Sequence, residues 1–217
     1  MTSRSYRCLL VALLAVLWSC SAKLDMEGDI VDGQETAVDW MTPLPDDTPL
    51  ARLSIPGAHD AATSTVTALT AWTRTQDLNV ARLWNCGVRA FDLRPAWVDG
   101  TMGIYHDKYS NTSPFWVQDY YHPDGKDDKW REVKEMLENT AAAAEPYPLV
   151  INHASGYVGS LPDYRSNARD INALAAEYIQ ESGSPAGIVM MDFAGVARSR
   201  GVKVCGDILV KAIIGNN

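Results

Sequence analysis

From Trp40 onward, short apolar runs alternate with longer stretches in which apolar residues recur three or four positions apart. The first pattern is that of buried strands and the second that of amphipathic helices. Strands are expected in Leu50–Ala58, where an alternating run breaks at Pro56-Gly57, and in Gly87–Trp97, Met102–Tyr105, Val117–Tyr121, Leu149–Asn152 and Gly187–Met191. Asp77 is placed to cap a helix with Leu78, Ala81 and Trp84 on one face. Asp127 or Asp128 is placed to cap another, carrying Trp130, Val133, Met136 and Leu137. A third begins at Asp163 with Ala168, Ile171, Leu174, Ala175 and Tyr178, and a last at Asp207 with Ile208, Leu209, Ala212 and Ile213. Short buried strands alternating with helices predict an α/β domain, a parallel sheet or barrel with about six strands.

Polar residues gather where these strands end. His59-Asp60 follow the first strand, His106-Asp107 the third, Asn152-His153 the fifth and Asp192 the last. Asp92 and Arg94 share one side of the second strand by its period of two. The carboxyl ends of strands are where α/β proteins hold ligands. An arginine in a buried strand is paired or holds an anion, and an Asp92–Arg94 structural ion pair is the plainer reading.

Composition and charge narrow the classes. The chain has 217 residues, 47% hydrophobic, enough for a real core, and its formal net charge of -8 argues against nucleic-acid partners. Arg4 and Arg7 precede an apolar run, Cys8 to Trp18, followed by Ser19-Cys20-Ser21-Ala22. That is a secretory signal over residues 1–22, too short to span a bilayer comfortably, which takes about 20 apolar residues. Leu17, Ser19 and Cys20 fit a bacterial lipoprotein signal that would lipidate Cys20 in the cell envelope, although Trp18 is bulky for that motif. Cleavage after Ala22 with simple secretion is the alternative. Acidic residues 23–39 read as a tether, and 40–217 as a single domain. Cys86 and Cys205 could pair or remain buried thiols. No CxxC or HExxH metal signature occurs.

The segments SIPGAHDAATS, GVRAFDLRP, IYHD, LVINHASGY and GIVMMDFAG, in that order, resemble the phosphatidylinositol-specific phospholipase C X-domain family, in its bacterial, calcium-independent branch. The resemblance implies a distorted TIM barrel and a monomer acting on phosphatidylinositol or a glycosyl-phosphatidylinositol at a membrane surface. It implies His59 as general base on the inositol 2-hydroxyl and His106 as general acid for the departing diacylglycerol. Arg94 would hold the phosphoryl oxygens, Asp192 would orient His59, and Asp60 would brace His106. Two imidazoles of ordinary pKa, about 6.5, can hold opposite protonation states at neutral pH. Eukaryotic relatives bind calcium through a Glu-x-Asp pair where this chain has Asp92 and Arg94; the positive side chain implies no metal or other cofactor. Asn152 and His153 take no proton-transfer role from the resemblance. Trp97, Tyr105, Trp116 and Tyr157 could form a lipid-facing rim, core packing being the commoner fate of such residues.

One departure concerns length. Eight-stranded barrels of this kind need about 250 residues, and the stretch from Trp40 to Asn217 is shorter. His106-Asp107 stands where relatives commonly show His-Gly, and the sequence then passes almost directly to a later part of the family pattern. Loss of two or so βα units after the third strand would explain both and leave a distorted or incomplete barrel. Two further readings follow: an inactive surface binding protein on a shortened scaffold, and a metal-dependent hydrolase using His59, Asp60, His106 and Asp192. Arg94 argues against the last.

Overall fold

The computed structural model describes residues 37–65, 74–98, 101–104, 115–159 and 163–217. The strands are β1 (Ile55–Ala58), β2 (Ala90–Phe91), β3 (Pro95–Val98), β4 (Thr101–Ile104), β5 (Phe115–Gln118), β6 (Leu149–His153), β7 (Ile188–Met191), β8 (Arg198–Ser199) and β9 (Val202–Lys203). The helices are α1 (Val80–Asn85), α2 (Lys126–Ala142), α3 (Tyr164–Ser182) and α4 (Gly206–Ile214). Five strands form one sheet in the order β2-β1-β7-β6-β5, each neighbouring pair parallel. Among the described residues this sheet does not close, so β2 and β5 are its edges.

The α/β class and the parallel sheet match expectation, with two corrections: the strand expected over Gly87–Trp97 splits into β2 and β3, which belong to different sheets, so Asp92 and Arg94 lie in the link between them rather than on one side of a strand. The strand expected at Met102–Tyr105 is β4, and it pairs antiparallel with β3, Val98 opposite Thr101 and Pro95 opposite Ile104. Asp99-Gly100 joins the two in sequence, a pair that favours a tight hairpin, and two residues cannot carry a crossover between parallel strands.

The core forms because β7 is central and its Val189 and Met191 are fully buried. Ile171, Ala175 and Ile179 of α3 and Leu209, Val210 and Ile213 of α4 join the same cluster, as do Val133 and Leu137 of α2. Leu174, expected on the buried stripe of α3, is exposed, and Ala176 and Ile179 take its place. Asp163 caps α3 as expected, accepting from the Ser166 N–H at 3.2 Å. The other three caps shift. Asn79 caps α1 in place of Asp77, which is buried and ion-paired with Arg74 at 3.1 Å. Leu83 is the buried residue of α1, whereas Trp84 is exposed beneath the Arg89 guanidinium. Gly125 and Cys205 occupy the cap positions of α2 and α4, and Asp127, Asp128 and Asp207 lie in the first turns, where carboxylates favour the helix dipole.

Trp40 donates its indole N–H to the Gly87 carbonyl at 2.8 Å, and the Ala37 N–H bonds Asn85 O at 3.1 Å. The domain edge thus reaches back into the end of the stretch read as tether. Cys86 and Cys205 are both buried thiols with no disulfide between them.

Gly206 opens α4 against the loop that follows Asp192. A Cβ there would meet the Phe193 carbonyl oxygen at 1.9 Å and Val196 O at 3.2 Å, both backbone atoms. The Gly206→Ala variant is therefore expected to lose about 3 kcal/mol of stability, the upper range for overpacking. Urea unfolding monitored by tryptophan fluorescence checks this.

Candidate active site

The site sits where β1, β2 and β7 end. The His59 N–H extends the β1–β7 ladder to Met191 O at 3.0 Å, placing the ring over the end of β7. His59 is 1% exposed. Its Nδ1 lies 2.8 Å from Asp192 Oδ1, so a carboxylate acceptor fixes the tautomer with the proton on Nδ1 and leaves Nε2 as the basic nitrogen. Burial lowers the His59 pKa, but Asp192, then Asp60 and Asp92, outweigh it and hold the pKa above its ordinary value.

Asp60 follows in a left-handed conformation, φ 45°, a backbone state that aspartate tolerates better than most residues. This turn brings its carboxylate to 3.4 Å from His59 Nε2 and 3.5 Å from Arg94 Nε. Asp92 is tied to the same turn: its N–H bonds Ala58 O and its carbonyl accepts from the Ala61 N–H. Arg94 donates to Asp92 through Nε at 3.0 Å and Nη2 at 2.6 Å. The structural ion pair therefore exists, yet neither carboxylate uses Nη1 of Arg94. Burial opposes the Arg94 charge, and Asp92 and Asp60 raise its pKa, so it remains a fixed cation.

His59, Asp60, Arg94 and Asp192 thus come together. His106, with Asp107 and Tyr105, lies outside the described residues. His153 stands 5.9 Å from the His59 ring, edge to face, with Nδ1 3.2 Å from Ser155 Oγ. Burial pushes its pKa down to about 4, against the pull of Asp119 and with His59 and Lys129 adding to the fall. A histidine that stays neutral at pH 7 lacks the acidic imidazolium proton a general acid needs, so His153 is no substitute for His106. Asn152 is structural: its Nδ2 donates to Val133 O and its Oδ1 accepts from Gln118, stitching β6 to α2 and β5.

Several supporting residues were missed in the sequence. Gln76 donates through Nε2 to His59 O and Met191 O, both at 2.8 Å, and accepts from the Ala194 N–H at 3.0 Å. It clamps the ends of β1 and β7 together. Gly156 donates its N–H to Asp192 Oδ2 at 3.1 Å; its φ of 137° and a site for Cβ only 2.4 Å from Tyr121 O admit no side chain. Tyr121 lies 5.7 Å from the His59 ring, in a cluster with Tyr157 and Tyr164. Lys129, fully buried, donates to Tyr120 O at 2.9 Å, and burial lowers its pKa to about 8. Among the expected rim residues, Trp116 is exposed and Tyr157 is half-buried against His122; the Trp97 side chain and Tyr105 lie outside the described residues.

Ligand atoms of His59, Asp60 and Asp92 lie within 4.8 Å of one another, close enough to consider a cation. The Arg94 guanidinium already occupies both carboxylates, and an ion would have to displace it.

No family model matches the chain. A 1-phosphatidylinositol phosphodiesterase of Staphylococcus aureus (strain Newman) is 34% identical over 70 residues, 31% of this chain and 22% of that protein. In solved structures, a phosphatidylinositol-specific phospholipase C of S. aureus superposes with a TM-score of 0.69 at 16% identity, covering 82% of this chain and 98% of that one. The enzyme of Listeria monocytogenes gives 0.62 at 18% identity, over 84% and 99%. The chain resembles the phosphatidylinositol-specific phospholipases C. Its fold is theirs, a TIM-barrel-like α/β architecture in which the described phospholipase-like sheet stays open. The sequence match spans under a quarter of the curated relative's length.

Proposed function

We propose that this chain is a phosphodiesterase of the phosphatidylinositol-specific phospholipase C type, cleaving phosphatidylinositol or a glycosyl-phosphatidylinositol. The observation that carries the reading is a buried histidine held by Asp192 through Nδ1 with its Nε2 beside a guanidinium–carboxylate cluster. Nε2 of His59 takes the proton of the inositol 2-hydroxyl, and the oxygen attacks the phosphorus. Arg94 faces the developing charge on the phosphoryl oxygens, where a planar fork of donors suits them. His106 protonates the leaving diacylglycerol oxygen and Asp60 braces His106. The products are diacylglycerol and inositol 1,2-cyclic phosphate. The relatives' names and fold support the substrate class. Secretion and lipid anchoring at Cys20 fit an enzyme that meets lipid outside the cytoplasm.

Phosphorus NMR of the protein with phosphatidylinositol micelles tests the reading. A cyclic inositol phosphate resonance that persists in chelator is the expected result. Loss of product on chelation would instead favour the metal-dependent hydrolase. A second reading, a binding protein without turnover, is favoured by the edges that β2 and β5 leave open among the described residues; a folded protein that retains substrate but forms no product would establish it.

The pH dependence follows from His59. As a base it works neutral, so the acidic limb of kcat/KM lies above pH 6.5 in the wild type. In Asp192→Asn the dominant anion is gone, burial prevails, and the limb moves to lower pH while the plateau falls. The stability sign agrees. A raised folded pKa contributes stability fully present below pH 6.5 and lost as pH rises through the folded value. In Asp192→Asn that contribution reverses, and acidification destabilises. Parallel pH–rate and pH–denaturation series measure both.

A further inference from the structure

Three arginines gather around the segment that follows β7. Arg74 precedes Thr75, whose carbonyl accepts the Phe193 N–H at 2.8 Å. Arg165, in the first turn of α3, lays its guanidinium 5.2 Å from the centre of the Phe193 ring and donates Nε to Ser199 Oγ at 2.9 Å. Arg200 follows Ser199 in the turn that joins β8 to β9. Among the described residues one buried carboxylate, Asp77, faces this group, and it lies 3.1 Å from Arg74 Nε. Asp163 is exposed and already caps α3. The sequence on either side adds no compensation: residues 66–73 read VTALTAWT and 160–162 read SLP, with no acidic residue.

Two donors are left over. Nη2 of Arg165 and Nε of Arg200 are buried and make no hydrogen bond; neither carboxylate oxygen of Asp77 makes one either, so its charge reaches the group without satisfying these donors. Leaving such groups unmet costs stability, and persistent cases call for a physical explanation. The turn points the same way. Arg200 and Gly201 both have positive φ, 47° and 80°, the pattern of a two-residue hairpin loop that favours Asn-Gly. An arginine held there carries backbone strain, which structures tend to keep where function needs it.

We propose that Arg74, Arg165 and Arg200 form a seat for a phosphate-bearing anion, separate from the Arg94 site. A phosphate offers oxygens to each unmet donor, one from Arg165 and one from Arg200, and supplies the missing negative charge. Burial lowers the Arg165 pKa, Asp77 opposes the fall, and Arg200 and Arg74 add to it, so a bound dianion relieves a standing repulsion. Inorganic phosphate and the phosphate of an anionic lipid headgroup share this chemistry. The seat does not depend on the phosphodiesterase reading.

The test uses the full chain carrying Arg94→Gln, so that the other arginine site is silent, with and without Arg200→Asn. Asn-Gly suits the turn, so Arg200→Asn is expected to fold and to melt at the same temperature or higher without phosphate. Thermal unfolding is followed against inorganic phosphate, with sodium chloride at matched ionic strength as control. The expected result is a phosphate-specific rise in melting temperature, with affinity weakened about tenfold by Arg200→Asn. Adding Arg165→Gln deepens the loss. Sedimentation with phosphatidylcholine vesicles containing phosphatidic acid separates the sources. Binding that falls in Arg200→Asn and is competed by phosphate assigns the lipid headgroup; a thermal effect with no vesicle difference assigns the free anion. An equal phosphate response in both proteins, or none beyond sodium chloride, overturns the seat.

Discussion

The His59→Gln variant is expected to cleave phosphatidylinositol about 10³-fold more slowly than the wild type, the central value for loss of a general base. Glutamine keeps a donor for Asp192 and much of the ring's volume but has no basic nitrogen at the Nε2 position. The fall should therefore appear in kcat, with KM little changed, because proton abstraction stabilises the transition state rather than the bound substrate. Stability drops as well, by about 1–3 kcal/mol, since Asp192 keeps a weaker partner in a buried setting. Initial rates by phosphorus NMR, with denaturant unfolding of the same preparation, separate the two effects. A variant that retains more than about a tenth of wild-type turnover would remove His59 from the base position. His153 does not stand in for it: its ring lies 5.9 Å from that of His59 and is bonded to Ser155 rather than to Asp192.

The parts of this site that were legible in the sequence share one property: they lie at strand ends. His59, Asp60, Arg94 and Asp192 each follow or flank a short apolar run, and strand direction is enough to bring such positions to one rim. Gln76 and Gly156 could not be found that way. Gln76 bonds carbonyls 17 and 115 residues away, and nothing local marks a glutamine for that task. Gly156 matters for its backbone N–H and its lack of Cβ, properties that appear only once Tyr121 O is seen 2.4 Å from where a Cβ would stand.

Errors in the fold reading were equally physical. Asp77 is a good capping residue by type, but burial with Arg74 claims its carboxylate and Asn79 caps α1 instead. Met102–Ile104 has the composition of a buried parallel strand; the Asp99-Gly100 pair before it carries the stronger signal, that of a hairpin. The six expected strands therefore resolve into five parallel strands and the two arms of a hairpin, the Gly87–Trp97 run splitting into β2 and β3. For the cysteines, spacing left pairing and burial equally open, and only the fold shows both as buried thiols.

Arg94→Gln is the other large effect, with turnover expected to fall about 10²–10³-fold, as when a donor aimed at developing transition-state charge is removed. Its pH signature separates it from general damage to the site. Arg94 now compensates Asp92 and approaches Asp60, and both anions already raise the His59 pKa. With the guanidinium gone, those carboxylates act on His59 unopposed, the imidazolium is favoured further, and the acidic limb of kcat/KM moves to higher pH. Asp192→Asn moves the same limb to lower pH, because it removes an anion rather than a cation. Arg94→Lys keeps the charge but not the paired donors, so the limb should stay near its wild-type position while turnover remains low. Opposite displacements in the two variants, with the lysine variant between them, are what an electrostatically coupled His59 requires. A common shift in all three would mean that the limb belongs to another group, and Arg94 would then be left with its ion pair to Asp92 as its whole role.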